Sequence, residues 1–211
     1  MPITELNKIR FPFEVDERNP GNSEPIVPIT LDGIVEKWNI LHGFKPVPVW
    51  VYGTLRQGAW NNSVLGSSAE FICNAWLASD DWALTSTDPS VPFLVRNDDL
   101  PKGRVFGELW SVRYMDLCES VDRLEGCYKD RSSGLYQRYV GGVQIEDTNA
   151  YAIKRMLDDS IGWRGVGGIV DAVMYACPNY KNFDVHGNGR YRQLYFDWKN
   201  TRYYDFGLES N

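Results

Sequence analysis

The residues best suited to chemistry in this 211-residue chain fall in three short segments. In Val51-Tyr52-Gly53-Thr54-Leu55-Arg56-Gln57-Gly58-Ala59-Trp60-Asn61, an apolar run enters a glycine, a hydroxyl-bearing residue and a second glycine. A backbone that turns without a Cβ at Gly53 can aim successive N–H groups into a cavity as an anion nest, serving a bound carboxylate or a developing oxyanion. The same residues also fit an ordinary strand-to-loop turn.

The second segment runs from Met115 to Gly126. At about 100° per residue, Leu117, Cys118, Val121 and Leu124 share one helical face, and Glu125 lies about 80° from Leu117, within that stripe. Asp116, Glu119, Asp122 and Arg123 fall outside it and read as solubilising charges. Gly126 terminates the helix. A carboxyl at Glu125 would then be partly desolvated and close to the negative end of the helix dipole. Both effects raise its pKa toward neutrality and suit it to proton transfer. The alternative is a frayed end, with Glu125 in solvent or paired with an arginine. In the third segment, Tyr136-Gln137-Arg138-Tyr139, period-2 alternation places Tyr136 and Arg138 on one face. Together they could order a buried carboxylate, or form an exposed cross-strand pair.

The elements that must position these residues are mostly short strands: Val47–Tyr52, Phe71–Leu77, Trp82–Thr85, Phe93–Arg96, Arg104–Arg113, Tyr136–Ile145, Ala150–Ile153 and Asp171–Ala176. The Met115–Glu125 helix lies among them. This pattern predicts an α+β fold with a largely antiparallel or mixed, curved sheet. Residues 1–46 hold six of the eleven prolines and read as an N-terminal arm. One short helix is expected there, with Ile34, Val35, Trp38 and Leu41 in helical spacing, Asp32 as cap and Gly43 as stop. Residues 47–177 form the main domain. Residues 178–211 are an aromatic-rich C-terminal extension, with nine rings after residue 178, expected to be clamped to the surface through them.

Composition excludes several classes of function. Lys and Arg number 22 against 28 Asp and Glu, a net charge of −6, and no basic stripe is interleaved with the aromatics, so no nucleic-acid partner is expected. No apolar run approaches the roughly 20 residues of a membrane-spanning helix, and no secretory leader opens the chain, so a cytoplasmic location is expected. Cys73, Cys118, Cys127 and Cys177 have no metal-binding or disulfide spacing and read as reduced. With only His42 and His186, nothing local supports a metal site or a Ser-His-Asp triad. Gly162 to Gly168 lacks the Lys-Ser/Thr and the following helix of a phosphate loop, and reads as a connection or a lid.

Four motifs in order, Val51-Tyr52-Gly53-Thr54-Leu55-Arg56 with Gly58 and Asn61, Val105-Phe106-Gly107-Glu108-Leu109-Trp110, Asp122-Arg123-Leu124-Glu125-Gly126 and Tyr136-Gln137-Arg138, resemble the gamma-glutamylcyclotransferase-like superfamily over about residues 47–177. Thr54, where the glutathione-degrading branch usually carries serine, makes the chain look more like the small gamma-glutamylamine cyclotransferase branch. The resemblance implies a small mixed β-barrel with helices packed outside and a cavity at one end. It implies that Tyr52, Gly53, Thr54 and Leu55 hold the glutamyl part of a small-molecule substrate. Glu125 would be catalytic, in a cofactor-free cyclisation that releases an amine and 5-oxoproline. Tyr136 and Arg138 would complete the substrate-binding set. Trp60 departs from the family pattern, which has a smaller residue or proline there, and an indole at this point could wall off the pocket or stack on the leaving group. Two other readings use the same residues: a binding or interaction module that has lost turnover, and a hydrolase that uses water.

Overall fold

In the computed structural model the described residues are 26–79, 81–88, 91–96, 105–127, 136–145, 169–177, 193–197 and 202–205. In chain order they form β1 (Val27–Pro28), α1 (Leu31–Lys37), β2 (Pro46–Val51), a 3-10 turn at Asn62–Leu65, β3 (Glu70–Leu77), β4 (Trp82–Asp88), β5 (Val91–Arg96), β6 (Phe106–Arg113), the helix α2 (residues 114–125), β7 (Gln137–Ile145), β8 (Ile169–Ala176), β9 (Gln193–Asp197) and β10 (Arg202–Asp205).

Five of these strands close a barrel in the order β7-β3-β6-β2-β8, with β8 returning to β7. All its pairings are antiparallel except β2 with β8, which is parallel at Val49 and Val173. The expected small mixed barrel with helices is therefore present. A second sheet, in the order β10-β9-β4-β5, is antiparallel throughout. It joins the barrel where the N–H of Cys177 donates to Leu94 O at 2.8 Å.

Strands β2, β6 and β7 are buried along almost their whole length instead of alternating. A strand in a small barrel packs inward on the core, and here it also packs outward on covering elements, so both faces need apolar side chains. The helix α1 is one cover: Ile34 and Trp38 are fully buried on the barrel, and Lys37 pairs with Asp171 of β8 at 2.6 Å.

Trp50 fixes the geometry of the barrel end. Its indole Nε1 donates to Ala75 O at 3.1 Å. Strands β2 and β3 are not neighbours, so the ring must pass over the intervening β6 to reach that carbonyl. It crosses at Gly107, where a Cβ would stand 2.6 Å from the indole and 2.5 Å from Val51 O.

Some sequence expectations change. The α1 helix starts earlier than Asp32 because the Thr30 hydroxyl accepts from Gly33 N at 3.0 Å. It ends at Lys37, well before Gly43, because Asn39 adopts a positive φ of 46°. Leu41 is accordingly 78% exposed and not part of the apolar face. Within 178–211, β9 and β10 join β4 through a main-chain ladder, a pairing that a ring count does not reveal. The strand expected at Ala150–Ile153 and the connection at Gly162–Gly168 lie outside the described residues.

Replacing Gly107 with alanine is expected to lower stability by roughly 1–3 kcal/mol through overpacking, read as a lower urea midpoint at constant slope. An unchanged midpoint would mean that the indole does not cross there.

Candidate active site

A cavity of about 160 Å³ opens at the end of the barrel where β2 runs into its following loop. Its wall includes Tyr52, Gly53, Thr54 and Leu55 from that loop, Glu125 and Leu124 from α2, Tyr136 before β7, Tyr175 of β8 and Pro92 of β5. The glycine turn and the helix-end carboxyl, 70 residues apart in sequence (125 − 55), thus share one space.

The turn is held by a buried carboxylate. Glu108 of β6 accepts from Arg56 Nε at 3.1 Å, from the Gln57 backbone N–H at 2.7 Å and from Trp110 Nε1 at 3.1 Å. The Arg56 guanidinium also lies over the Phe106 ring, 4.8 Å from its centroid. Asn61 closes the loop by donating to Thr54 Oγ1 at 3.0 Å, and Asn62 by donating to Leu55 O at 2.7 Å. Among the described residues, no group accepts from the backbone N–H of Gly53, Thr54 or Leu55. These are the donors a nest requires. Gly53 itself is not left-handed. Its missing Cβ makes room for Pro92, whose Cγ would stand 2.7 Å from it.

The helix α2 is not uniform. Between α-helical residues Tyr114–Asp116 and Asp122–Glu125 lies a π turn, Leu117–Val121, in which the Asp122 N–H donates to Leu117 O five residues back. A π turn adds one residue to the spiral and rotates everything after it by about 100° relative to a straight wheel. Leu117 and Val121 remain buried, but Leu124 turns outward to 41% exposure and Asp122 becomes fully buried. The expectation that Asp122 is a solubilising charge is therefore overturned. The Gly126 terminator is present as read: its φ is 75° and Cys127 N donates to Asp122 O at 2.8 Å.

Arg138 sits behind this helix end and is not among the residues lining the cavity. Its Nε donates to Asp122 Oδ1 at 2.7 Å, and its remaining nitrogens donate to Ile29 O and Cys127 O. The carboxylate it orders is thus Asp122. The tyrosine that joins it is Tyr175, whose hydroxyl donates to the same Oδ1 at 2.7 Å. Tyr136 instead donates to Pro92 O at 2.9 Å and stacks on Phe93. The Tyr52 hydroxyl donates to Tyr175 O at 2.8 Å and accepts from Leu94 N at 3.2 Å, bridging the two sheets. Reading by alternation missed Tyr175, which lies in a strand with no chemical signal of its own. It missed Asp122 because the π turn is invisible to a fixed helical period.

Glu125 stands apart from the other two carboxylates. Among the described residues its side chain makes no ion pair or hydrogen bond. Burial, and after it the nearby Asp122 charge, together raise its pKa from 4.5 to about 8. Burial also pushes the Tyr52, Tyr136 and Tyr175 hydroxyls above their ordinary value. Glu125 is therefore the cavity-lining group that titrates near neutral pH. Among the described residues, no cluster of three or more His, Cys, Asp and Glu side chains could hold a metal ion, and no helix is long and apolar enough to cross a membrane.

Residues 49–199 match the family described as Gamma-glutamyl cyclotransferase, AIG2-like, and the chain belongs to it. The superfamily resemblance read from the four sequence motifs is confirmed. Solved structures to which the chain is similar include an AIG2-like protein from Mus musculus, 22% identical over 64% of this chain and 79% of that one, with a TM-score of 0.46. Another is the uncharacterized protein loc79017 from Homo sapiens, 20% identical over 64% of this chain and 69% of that one, with a TM-score of 0.43. A gamma-glutamyl cyclotransferase is 17% identical over 64% of this chain and 68% of that one, with a TM-score of 0.41. No curated protein matches.

Two measurements check this site. Between pH 4.5 and about 8 the folded protein keeps a proton on Glu125 that the unfolded chain has released, so this group lowers stability as pH rises through that window and has no further effect above it. Glu125→Gln removes the titration and is expected to flatten that limb in urea unfolding across the range. Identical pH dependence in both proteins would show that Glu125 titrates normally. Gly53→Ala is expected to displace Pro92 and weaken ligand binding by calorimetry, while unchanged affinity would show that this contact does not shape the cavity.

Proposed function

We propose that this protein cyclises a γ-glutamyl amine or γ-glutamyl amino acid, releasing the amine and 5-oxoproline. The observation that carries this reading is the cavity shared by Glu125 and the Tyr52–Leu55 turn. A volume of about 160 Å³ suits an amino-acid-sized group and falls well below the pockets that enclose drug-sized ligands.

The nucleophile is the substrate's own α-amine, so ring closure supplies most of the proximity gain and no activated serine or cysteine is required. The α-nitrogen attacks the γ-carbonyl carbon, a C–N bond forms, and the bond to the departing nitrogen breaks. Starting from the ammonium form, two protons leave the attacking nitrogen, and both end on the departing one. A carboxyl with a pKa of about 8 is matched to that shuttle, since it accepts and returns a proton near neutral pH at little cost. The N–H groups of Gly53, Thr54 and Leu55 are the donors we assign to the glutamyl carboxylate or to the oxyanion at the γ-carbon. Arg138 acts from behind, through Asp122 and the Cys127 carbonyl, to hold the helix end that carries Glu125. Thr54 favours the gamma-glutamylamine branch over the glutathione-degrading one.

Incubation with a panel of γ-glutamyl compounds is expected to yield 5-oxoproline. Glu125→Gln is expected to abolish turnover with binding retained, and kcat/KM of the parent is expected to rise with pH through an apparent pKa near 8. Release of free glutamate would instead identify a hydrolase. A tightly held ligand without product would identify a binding module, and an active Glu125→Gln variant would remove Glu125 from the chemistry.

A further inference from the structure

The cavity wall changes character toward its mouth. Trp60 lines the cavity although it is 62% exposed, and Leu124 lines it at 41% exposure. Two large apolar side chains that belong both to the wall and to the surface must stand at the opening. Pro92, buried in the second sheet, continues the same apolar wall inward. The backbone that carries Trp60 is fixed on both sides. Ala59 N donates to Arg56 O at 2.9 Å and Asn61 N to Thr54 O at 3.1 Å. The Asn61 side chain adds its bond to Thr54 Oγ1. The backbone at Trp60 is thus tethered to the turn that faces Glu125.

From this arrangement we infer that the cavity mouth is a subsite for the side chain of the departing amine, and that Trp60 selects a flat apolar group there, an arylalkyl amine. The inference rests on the cyclisation reading for the word "departing". A glutamyl group lodged beside Glu125 fills the small inner space, so the substituent on its γ-nitrogen has to leave through the opening. There it meets Trp60, Leu124 and Pro92. An aromatic ring gains a stacking contact on the indole and removes apolar surface of both from water. Among the described residues no cation lines the cavity, so an anionic leaving group finds no partner among them. A cationic chain could lie over the indole, but it would have to shed water against Leu124 and Pro92, which return no hydrogen bond. An aryl group suits all three residues. Fixing the backbone that carries Trp60 before binding also limits the ordering cost that otherwise offsets such contacts.

The test uses ligands that cannot react. N-glutaryl phenethylamide, N-glutaryl methylamide and N-glutaryl 5-aminopentylamide all lack the α-amine and cannot cyclise. Each is titrated calorimetrically against the full chain and against Trp60→Ala and Trp60→Phe. The phenethylamide is expected to bind about tenfold more tightly than the methylamide, the scale of one aromatic stacking contact with its buried area. Trp60→Ala is expected to bring it to the level of the methylamide, and Trp60→Phe to keep most of the preference. Equal affinities across the series, tightest binding of the aminopentylamide, an equal loss for all ligands in Trp60→Ala, or no binding at all would each overturn the proposal. Because none of these ligands turns over, the outcome separates from the product assay. 5-Oxoproline formation without aryl preference defeats the subsite alone, and aryl preference without 5-oxoproline defeats the cyclisation alone.

Discussion

The buried ion pair between Asp122 and Arg138 is the interaction on which the site depends. Both side chains are almost completely shielded from water. Through them α2 is tied to β7, through Tyr175 to β8, and through the other Arg138 nitrogens to the Ile29 carbonyl and to Cys127 just past the helix end. Such a pair adds little to stability over an apolar replacement, yet breaking it by removing one partner costs roughly 3–5 kcal/mol because a buried charge is left behind. Its contribution is therefore geometric. It permits one arrangement of the helix end, and Glu125 is three residues from its anchor.

Three carboxylates lie in or beside the cavity wall, and their surroundings divide their work. Glu108 is met by Arg56, an indole N–H and a backbone N–H, and it holds the glycine turn. Asp122 is met by Arg138 and a tyrosine hydroxyl, and it holds the helix end. Glu125 is given no cation among the described residues, and burial beside Asp122 lifts its pKa to about 8. Two of the carboxylates are fixed in position by the donors on their oxygens. The third is left in a state where gaining or losing a proton is nearly balanced, the condition for moving protons at neutral pH.

The second sheet has a direct part in this arrangement. Pro92 of β5 packs where Gly53 has no side chain, and Tyr52 and Tyr136 reach across to Leu94 and Pro92. The barrel end is thus walled by a strand that does not belong to it. Opposite, the loop from Gly53 to Asn62 is cross-linked by its own asparagines. The space between these two boundaries is the cavity.

Much of this was legible in the chain itself. Strand positions followed from short apolar runs bounded by glycine and proline, the helix terminator from Gly126, and the candidate acid from its place at that terminator. These features are local, set by backbone sterics and side-chain period within a few residues. The sequence alone could not reveal the π turn, because helical wheels assume one constant period, and so it misplaced Asp122 and Leu124. Nor could it reveal which arginine meets which carboxylate, that Gly53 serves Pro92, or that Tyr175 completes the anchor. Those choices depend on which strands become neighbours when the sheet closes, and closure brings together residues that share no local spacing. The residues able to do chemistry were written in order along the chain. Which of them carry charge, which brace and which face the cavity was decided by the barrel.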